Sequence, residues 1–151
     1  MNLSRLAARA LRSRAFVRAP IVAYRYRLGW LLGSRVLMLE HTGRRSGRAR
    51  YVCLEVVERL TENEVLVASG FGEHAQWYRN LRQEPRCFVS TGRMRRVPAT
   101  AALLGEEESA SVLARYQRAH PRSWARLQGV LEEAVGHPVE GLPMVRLTLS
   151  R

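Results

Sequence analysis

Short connections between β-prone runs are the feature that most constrains the fold of this chain. Parallel strands need a crossover of about a dozen residues or more, whereas only a few polar residues separate several of these runs. Thr61–Asn63 and Thr91–Arg93 have the composition of hairpin turns. The pattern therefore predicts antiparallel pairing. The runs, rich in valine and leucine, are Arg35–His41, Arg50–Arg59, Glu64–Ser69, Arg86–Thr91, Arg95–Leu104 and Met144–Ser150.

Three segments have the pattern of helices that cover such a sheet: Ala75–Gln83, Glu106–Ala119 and Pro121–Val135. The second begins with glutamates, which the positive end of a helix dipole favours, and Gly136 is suited to end the third. We predict an α+β fold in which an antiparallel β-sheet of about six strands, closed or split as a barrel, is surrounded by helices.

The N-terminal segment has a separate, basic character. Residues 2–18 predict an amphipathic helix that Pro20 ends, so we expect a basic helix over residues 1–20 and a single barrel domain over residues 21–151. Such a helix can lie on an acidic membrane surface, resemble a transit peptide or pack on its own barrel. Residues 21–33 predict a second short helix or a lead-in strand, and no apolar run is long enough to cross a membrane. One face of the first helix carries Leu3, Leu6, Ala10 and Val17, and another carries Arg5, Arg9 and Arg12.

The types of charged residue exclude several reaction classes. All 25 basic residues are arginine and all 13 acidic residues are glutamate. A chain without lysine and aspartate cannot form a lysine Schiff base, a P-loop lysine contact, a Ser-His-Asp triad or an aspartic dyad. The cysteines and histidines show no metal-ligand spacing, so we expect no metal site. Cys53 and Cys87 are expected to be free thiols in a reducing cytosol.

Positive charge is concentrated towards the N-terminus. Residues 1–50 carry twelve arginines against Glu40 alone, whereas residues 98–151 are neutral. This distribution indicates an anionic partner, which could be nucleic acid, acidic lipid or a polyanionic small molecule. A basic face that is merely solvated is the alternative.

The densest basic segment is His41–Arg50, which connects two β-prone runs. Its two glycines allow a tight turn, and its four arginines and exposed N–H groups suit a phosphate or a carboxylate. A solvated hairpin tip and a nucleic-acid patch have a similar composition. The segment therefore predicts an anion-binding loop without identifying the anion.

Three further features have both a functional and a structural interpretation. Gly70–Ala75 matches G-x-G-x-x-A, but no acidic residue lies about 20 positions on, so a dinucleotide fold is not indicated. Trp77 either lines an aromatic slot or, with Leu81 four residues later, belongs to the core. His120 and Trp124 either belong to a loop that covers a pocket or form a helix-helix turn.

Three ordered motifs together resemble the deazaflavin-dependent nitroreductase family. Thr42–Arg50 matches the family block T-G-R-[RK]-[ST]-G-x-x-R, Ala68–Ser69 matches a strand that ends in A-S, and Trp77–Leu81 matches W-Y-x-N-L. Glu84–Pro85 stands at the family's N-P or D-P turn. The match spans about residues 36–92 and, more loosely, the rest. It implies a split antiparallel β-barrel similar to FMN-binding barrels, with reduced coenzyme F-420 as cofactor.

The resemblance also implies roles for single residues. In the family, basic residues of the first block hold the cofactor's phosphate and acidic tail, and the A-S strand end faces the deazaflavin ring. The family's substrate-side tyrosines are not matched after Tyr116, where His120 and Trp124 stand instead. Tyr116 and His120 are thus expected on the substrate side or as proton donors, with Trp124 in the substrate pocket. The cofactor-binding residues implied are Arg44, Arg45, Arg50, Ala68, Ser69, Gly70, Trp77 and Asn80.

We therefore predict an oxidoreductase that transfers a hydride from reduced coenzyme F-420 to a small planar acceptor, either a quinone, an activated alkene or a nitroaromatic. The alternatives are an FMN-binding split-barrel protein and a non-catalytic basic module that binds nucleic acid or acidic lipid. We expect a cytoplasmic protein without a nucleic-acid partner, with contact to the inner face of the membrane if the N-terminal helix lies there. Arg48 is expected to point to solvent, and His41 is assigned no role.

Overall fold

A computed structural model of the chain describes residues 35–151, so the helix predicted over residues 2–18 and the segment 21–33 lie outside the described residues. The division into domains at residue 20 stays a prediction. The strands of the described part are β1 (Val36–Thr42), β2 (Ala49–Thr61), β3 (Glu64–Ala68), β4 (Arg86–Thr91), β5 (Met94–Leu103) and β6 (Met144–Leu149). Its α-helices are α1 (Gln76–Gln83), α2 (Glu106–Ala119) and α3 (Pro121–Val135), and a short 3-10 helix spans Gly72–His74.

The strands form one closed barrel in the order β1-β2-β3-β6-β5-β4. Every neighbouring pair is antiparallel, which confirms the pairing predicted from the short connections. Helix α1 lies in the connection from β3 to β4, and α2 and α3 lie in the connection from β5 to β6. The fold is therefore the α+β barrel that the sequence predicts.

Alternation along the strands determines which side chains fill the barrel. Leu37 and Leu39 of β1 pack inside it with Val65 and Val67 of β3, and each such burial contributes about 1.5–3 kcal/mol. Leu66, between the two valines, belongs instead to a second cluster with residues of α2 and α3. Strand β3 is thus buried on both faces, which explains why its sequence is a continuous apolar run.

The helix ends agree with the predicted ends to within a residue. Helices α2 and α3 have the predicted bounds, and α1 begins at Gln76 rather than Ala75. Gly136 ends α3 in the left-handed conformation, with a φ of 78°. No helix in residues 35–151 combines the length and the apolar character of a membrane span.

Candidate functional site

The loop between β1 and β2 is a compact turn closed by its own backbone. The N–H of Gly43 donates to the carbonyl of Arg48, and the N–H of Gly47 donates to the carbonyl of Gly43. The donor–acceptor distance is 2.8 Å in each hydrogen bond. A Cβ at Gly43 would meet Oγ of Ser46 at 2.7 Å, and Gly47 has a φ of +71°. The backbone conformation at Gly47 therefore favours glycine, and a side chain at Gly43 would force the hydroxyl of Ser46 to move.

Asn80 of α1 holds Arg44 of this loop in place. Oδ1 of Asn80 accepts hydrogen bonds from the backbone N–H of Arg44 (3.1 Å) and from its guanidinium Nη1 (2.9 Å). Asn80 is buried, and the two residues are 36 positions apart in the sequence. Because Asn80 is uncharged, it orients the guanidinium without neutralising it.

His41, for which the sequence indicated no role, completes this arrangement. It is only 5% exposed, and its Nδ1 lies 3.0 Å from Nδ2 of Asn80. Burial, together with the nearby charge of Arg50, lowers the pKa of His41 to about 4. The ring is therefore neutral at neutral pH. The only sequence signal was its position next to the arginine loop.

Two other arginines, Arg45 and Arg79, lie near Arg44. Loss of hydration, followed by the charges of Arg79 and Arg45, lowers the pKa of the Arg44 guanidinium. Within residues 35–151 no salt bridge joins Arg44, Arg45, Arg50 or Arg79 to a carboxylate. We call these four residues the arginine cluster, and they form a concentration of uncompensated positive charge. Arg79, for which the sequence indicated no role, lies beside Asn80 on α1.

The other arginines of the loop differ in position. Arg50 pairs with His41 across β1 and β2, and its side chain is exposed. Arg45 and Arg48 are also exposed. The backbone N–H of Arg48 donates to Oγ of Ser46 at a distance of 3.2 Å. The exposure of Arg48 is that expected from the sequence.

The segment Ala68–Gly70, assigned to the cofactor ring, packs tightly against the rest of the protein. Ser69 is fully buried, its backbone N–H donates to the carbonyl of Pro143 (2.9 Å), and its Oγ donates to the carbonyl of Gly72. A Cβ at Gly70 would meet Cδ2 of Leu131 at 3.0 Å, so α3 lies directly over this glycine. The hydroxyl of Ser69 is thus already bonded, and the contact of this segment with a ring stays a prediction.

Trp77 belongs to the core, which is one of the two places that its sequence position allowed. It is 8% exposed in the cluster inside the barrel and meets Tyr78 edge to face, with ring centroids 6.0 Å apart. Its predicted part in shaping a pocket stays a prediction.

Tyr116, His120 and Trp124 lie together where α2 meets α3. His120 caps both helices, since its N–H donates to the carbonyl of Tyr116 and its carbonyl accepts from the N–H of Trp124. The rings of Tyr116 and His120 are 5.3 Å apart. Burial and the charge of Glu55 raise the pKa of Tyr116. A hydrogen bond with Ser123 lowers this pKa by less, so the net change is upward. Trp124 is half-buried against the second cluster.

Tyr116 and the arginine cluster lie at different positions along β2. Arg50 pairs with His41 near the start of the strand, and Glu55, which influences Tyr116, lies five residues further along it. Because side chains five residues apart in a strand point to opposite faces, Arg50 and Glu55 do not share one surface.

A separate depression of about 230 Å³ lies on the outer surface of the barrel. Its residues include Glu40 and Arg96, which form a salt bridge of 3.0 Å, so their charges largely cancel. None of the site residues predicted from the sequence lines it. The full lining is Met38, Glu40, Tyr51, Phe88, Ser90, Arg95 and Arg96.

The cysteines and potential metal ligands offer no further chemistry in residues 35–151. Cys53 and Cys87 are free, and burial raises the pKa of Cys53 to about 11 and that of Cys87 to about 12. Such thiols stay protonated and unreactive near neutral pH. No group of three His, Cys or Glu side chains in this part of the chain could hold a metal ion.

Comparison with known proteins identifies similar sequences. The model of the family described as F-420H(2)-dependent quinone reductase matches residues 17–129. A Mycobacterium tuberculosis protein named as an F-420H(2)-dependent quinone reductase is 38% identical over 78 residues, which make up 49% of this chain and 62% of the relative. The chain thus matches less than two thirds of that relative's length.

Solved structures are similar in fold. A structure described as F-420-H2 dependent reductase FDR-A has a TM-score of 0.52 and 24% identity, over 75% of this chain and 93% of its own. A pyridoxamine 5'-phosphate oxidase-related, FMN-binding protein of Nostoc punctiforme has a TM-score of 0.52 and 16% identity, over 87% of this chain and 79% of its own. At these identities the similarity concerns the fold alone.

Proposed function

The chain belongs to the F-420H(2)-dependent quinone reductase family, and we propose that it binds reduced coenzyme F-420 and reduces a quinone or another small planar acceptor. The family match confirms the resemblance that the three sequence motifs indicated. When bound, the reduced deazaflavin supplies a hydride to the acceptor. The chain's own residues bind, orient and shield the reactants.

The observation that carries the proposal is the arginine cluster. Coenzyme F-420 has a phosphodiester and a glutamate tail, so it presents several anionic oxygens. Planar guanidinium groups match phosphate and carboxylate oxygens with paired hydrogen bonds. Arg44 is oriented by a neutral oxygen and lies near the charges of Arg45 and Arg79, so an anionic ligand would relieve a repulsion that no salt bridge within residues 35–151 compensates.

The other site residues predicted from the sequence supply the contacts with the ring and the acceptor in this proposal. Ala68–Gly70 face the ring, and Tyr116 and His120 face the acceptor. Asn80 contributes at the anionic end of the cofactor by holding Arg44. Trp77 and Trp124 support the site by packing, with Trp124 nearest the acceptor.

A phosphate-binding cluster on this fold also suits FMN, which carries one terminal phosphate, and the similar fold of an FMN-binding protein supports that alternative. A non-catalytic basic module that binds nucleic acid or acidic lipid is the other alternative. A cytoplasmic location, and contact of residues 2–18 with acidic lipid, stay predictions from the sequence.

Titration of the purified protein with coenzyme F-420, FMN and duplex DNA at two salt concentrations separates these alternatives. We expect micromolar affinity for coenzyme F-420. The double variant Arg44→Ala/Arg50→Ala should weaken it about a hundredfold, because each arginine supplies charge-assisted hydrogen bonds. Arg48→Ala is the matched control, since it removes an exposed charge from the same loop and should leave the affinity nearly unchanged. Binding of DNA alone, with a steep salt dependence, would contradict the proposal.

A further inference from the structure

The hydrogen bonds around Asn80 leave only one possible orientation for its amide. Both groups of Arg44 that meet Asn80 are N–H donors, so they require the oxygen Oδ1. The amide nitrogen Nδ2 must therefore face the other way, towards Nδ1 of His41 at 3.0 Å. An amide nitrogen only donates, so Nδ1 of His41 must accept, and the proton of the neutral ring must lie on Nε2.

We propose that His41 is a positioning residue for anion binding: its Nδ1 lone pair fixes the amide of Asn80, which in turn aims Arg44 at the ligand. The proposal rests on the proposed function in that the anion is the phosphate end of coenzyme F-420. It adds a specific role for His41, acting through Asn80 rather than by contact with the ligand.

Burial makes this arrangement sensitive to the histidine. His41 and Asn80 are 5% and 4% exposed, so water cannot readily replace a lost partner. If Nδ1 carried a proton, two donors would face each other across the 3.0 Å contact. The amide would then turn over and present Nδ2 to the two donors of Arg44. Arg44 would lose its acceptor, and the guanidinium would no longer be held towards the anion.

Two substitutions at His41 separate this role from general packing. His41→Asn places a carbonyl oxygen close to the position of Nδ1 and keeps an acceptor for Asn80. His41→Leu keeps an apolar volume and removes the acceptor. His74→Leu, an exposed histidine of the 3-10 helix, is the control for loss of a histidine. Thermal unfolding of each variant shows whether the barrel is intact.

Binding is measured with coenzyme F-420 and with inorganic pyrophosphate, which probes the anion end without the ring. We expect His41→Leu to weaken both affinities about tenfold, whereas His41→Asn and His74→Leu stay near the wild type. In an Arg44→Ala background, His41→Leu should have no further effect, because His41 influences the ligand only through Asn80 and Arg44. Unchanged affinity in a folded His41→Leu variant, or an equal loss in the Arg44→Ala background, would overturn the proposal.

The ¹⁵N chemical shifts of the His41 ring in the wild type give an answer that does not depend on any ligand. An unprotonated Nδ1 at neutral pH is the expected result, and a protonated Nδ1 would overturn the proposal. If the wild type failed to bind coenzyme F-420 but bound pyrophosphate with this His41 dependence, the proposed function would fail while the role of His41 stood.

Discussion

Arg44 and Asn80 are joined by two hydrogen bonds that orient the arginine without cancelling its charge. Both the backbone N–H and Nη1 of Arg44 donate to the same uncharged oxygen. An aspartate in place of Asn80 could accept the same two hydrogen bonds, but it would neutralise the guanidinium and would present an oxygen, instead of an N–H donor, to Nδ1 of His41. The choice of an amide therefore suits a site in which Arg44 must still attract an anionic ligand.

Asn80→Asp should accordingly fold but bind anions less well. We expect the affinity for coenzyme F-420 and for pyrophosphate to fall by about tenfold or more, because a carboxylate would compete with the ligand for Arg44. Calorimetric titration measures the change. Asn63→Asp, an equal charge change at the exposed turn between β2 and β3, is the control and should have little effect. Equal affinities for wild type and Asn80→Asp would argue against an anion at Arg44.

Acid should destabilise the protein partly through His41. The pKa of this ring is lowered from 6.5 to about 4, so between these values the unfolded chain binds a proton that the folded protein does not. Stability from the neutral, buried ring is thus fully present above pH 6.5 and is lost as the pH falls towards 4. At pH 4 the loss amounts to about 3 kcal/mol of unfolding free energy.

Urea unfolding at pH 7 and at pH 4 tests this dependence on His41. His41→Asn should lose about 3 kcal/mol less than the wild type between the two pH values, because it has no ring to protonate. His74→Asn, which alters an exposed ring, should follow the wild type. The same loss in all three proteins would mean that His41 does not titrate on unfolding.

Arg96 should carry backbone strain. Its φ is 48°, and three contacts hold it there: its N–H donates to Oγ of Ser90 (2.9 Å), its guanidinium forms two hydrogen bonds with Glu40, and it lies 3.8 Å from the ring centre of Phe88. Alanine and glycine at this position both remove the guanidinium contacts, but only glycine relieves the strain. Arg96→Gly should therefore be more stable than Arg96→Ala by about 1 kcal/mol.

Arg95 provides the comparison, because it precedes Arg96 in β5 and is not among the residues with positive φ. There the order should reverse, with alanine more stable than glycine in a strand. Chemical denaturation of the four variants gives both differences. If glycine were the less stable substitution at both positions, the strain at Arg96 would be negligible.

Local pattern sufficed for most of the fold. Helices α2 and α3 and strand β4 have the bounds predicted, because turn residues interrupt short runs of clear periodicity. The closure of the barrel, in which β1 pairs with β4 and β6 lies between β3 and β5, depends on pairing between distant segments that no local pattern specifies.

The sequence indicates only part of the candidate site. The arginine loop stands out by its composition and Asn80 by the family resemblance, whereas His41 is 39 residues from Asn80 in sequence and looks like an ordinary strand-end residue. Arg79 was overlooked for a related reason, since its importance lies in its closeness to Arg44 across the fold. The positive φ of Arg96 was also unforeseen, because arginine is not a residue that favours it.

His120 and Tyr116 should affect turnover rather than cofactor binding. They lie where α2 meets α3, on elements other than those that carry the arginine cluster, and their ring centroids are 5.3 Å apart. Burial and Glu55 keep the pKa of Tyr116 above its usual value, so its hydroxyl is protonated at neutral pH and can donate, directly or together with His120. Reduction of a quinone to its quinol requires one proton as well as a hydride. Loss of a positioned donor typically costs about a hundredfold in rate.

Tyr116→Phe and His120→Gln are therefore expected to lower kcat for quinone reduction, with the dissociation constant of coenzyme F-420 unchanged. His137→Gln, an exposed histidine beyond α3, is the control. Steady-state rates with a soluble quinone, together with fluorescence titration of the cofactor, measure the two effects separately. Wild-type kcat in both variants would mean that solvent supplies the proton without help from these side chains. A loss of cofactor affinity would instead place Tyr116 and His120 against the ring.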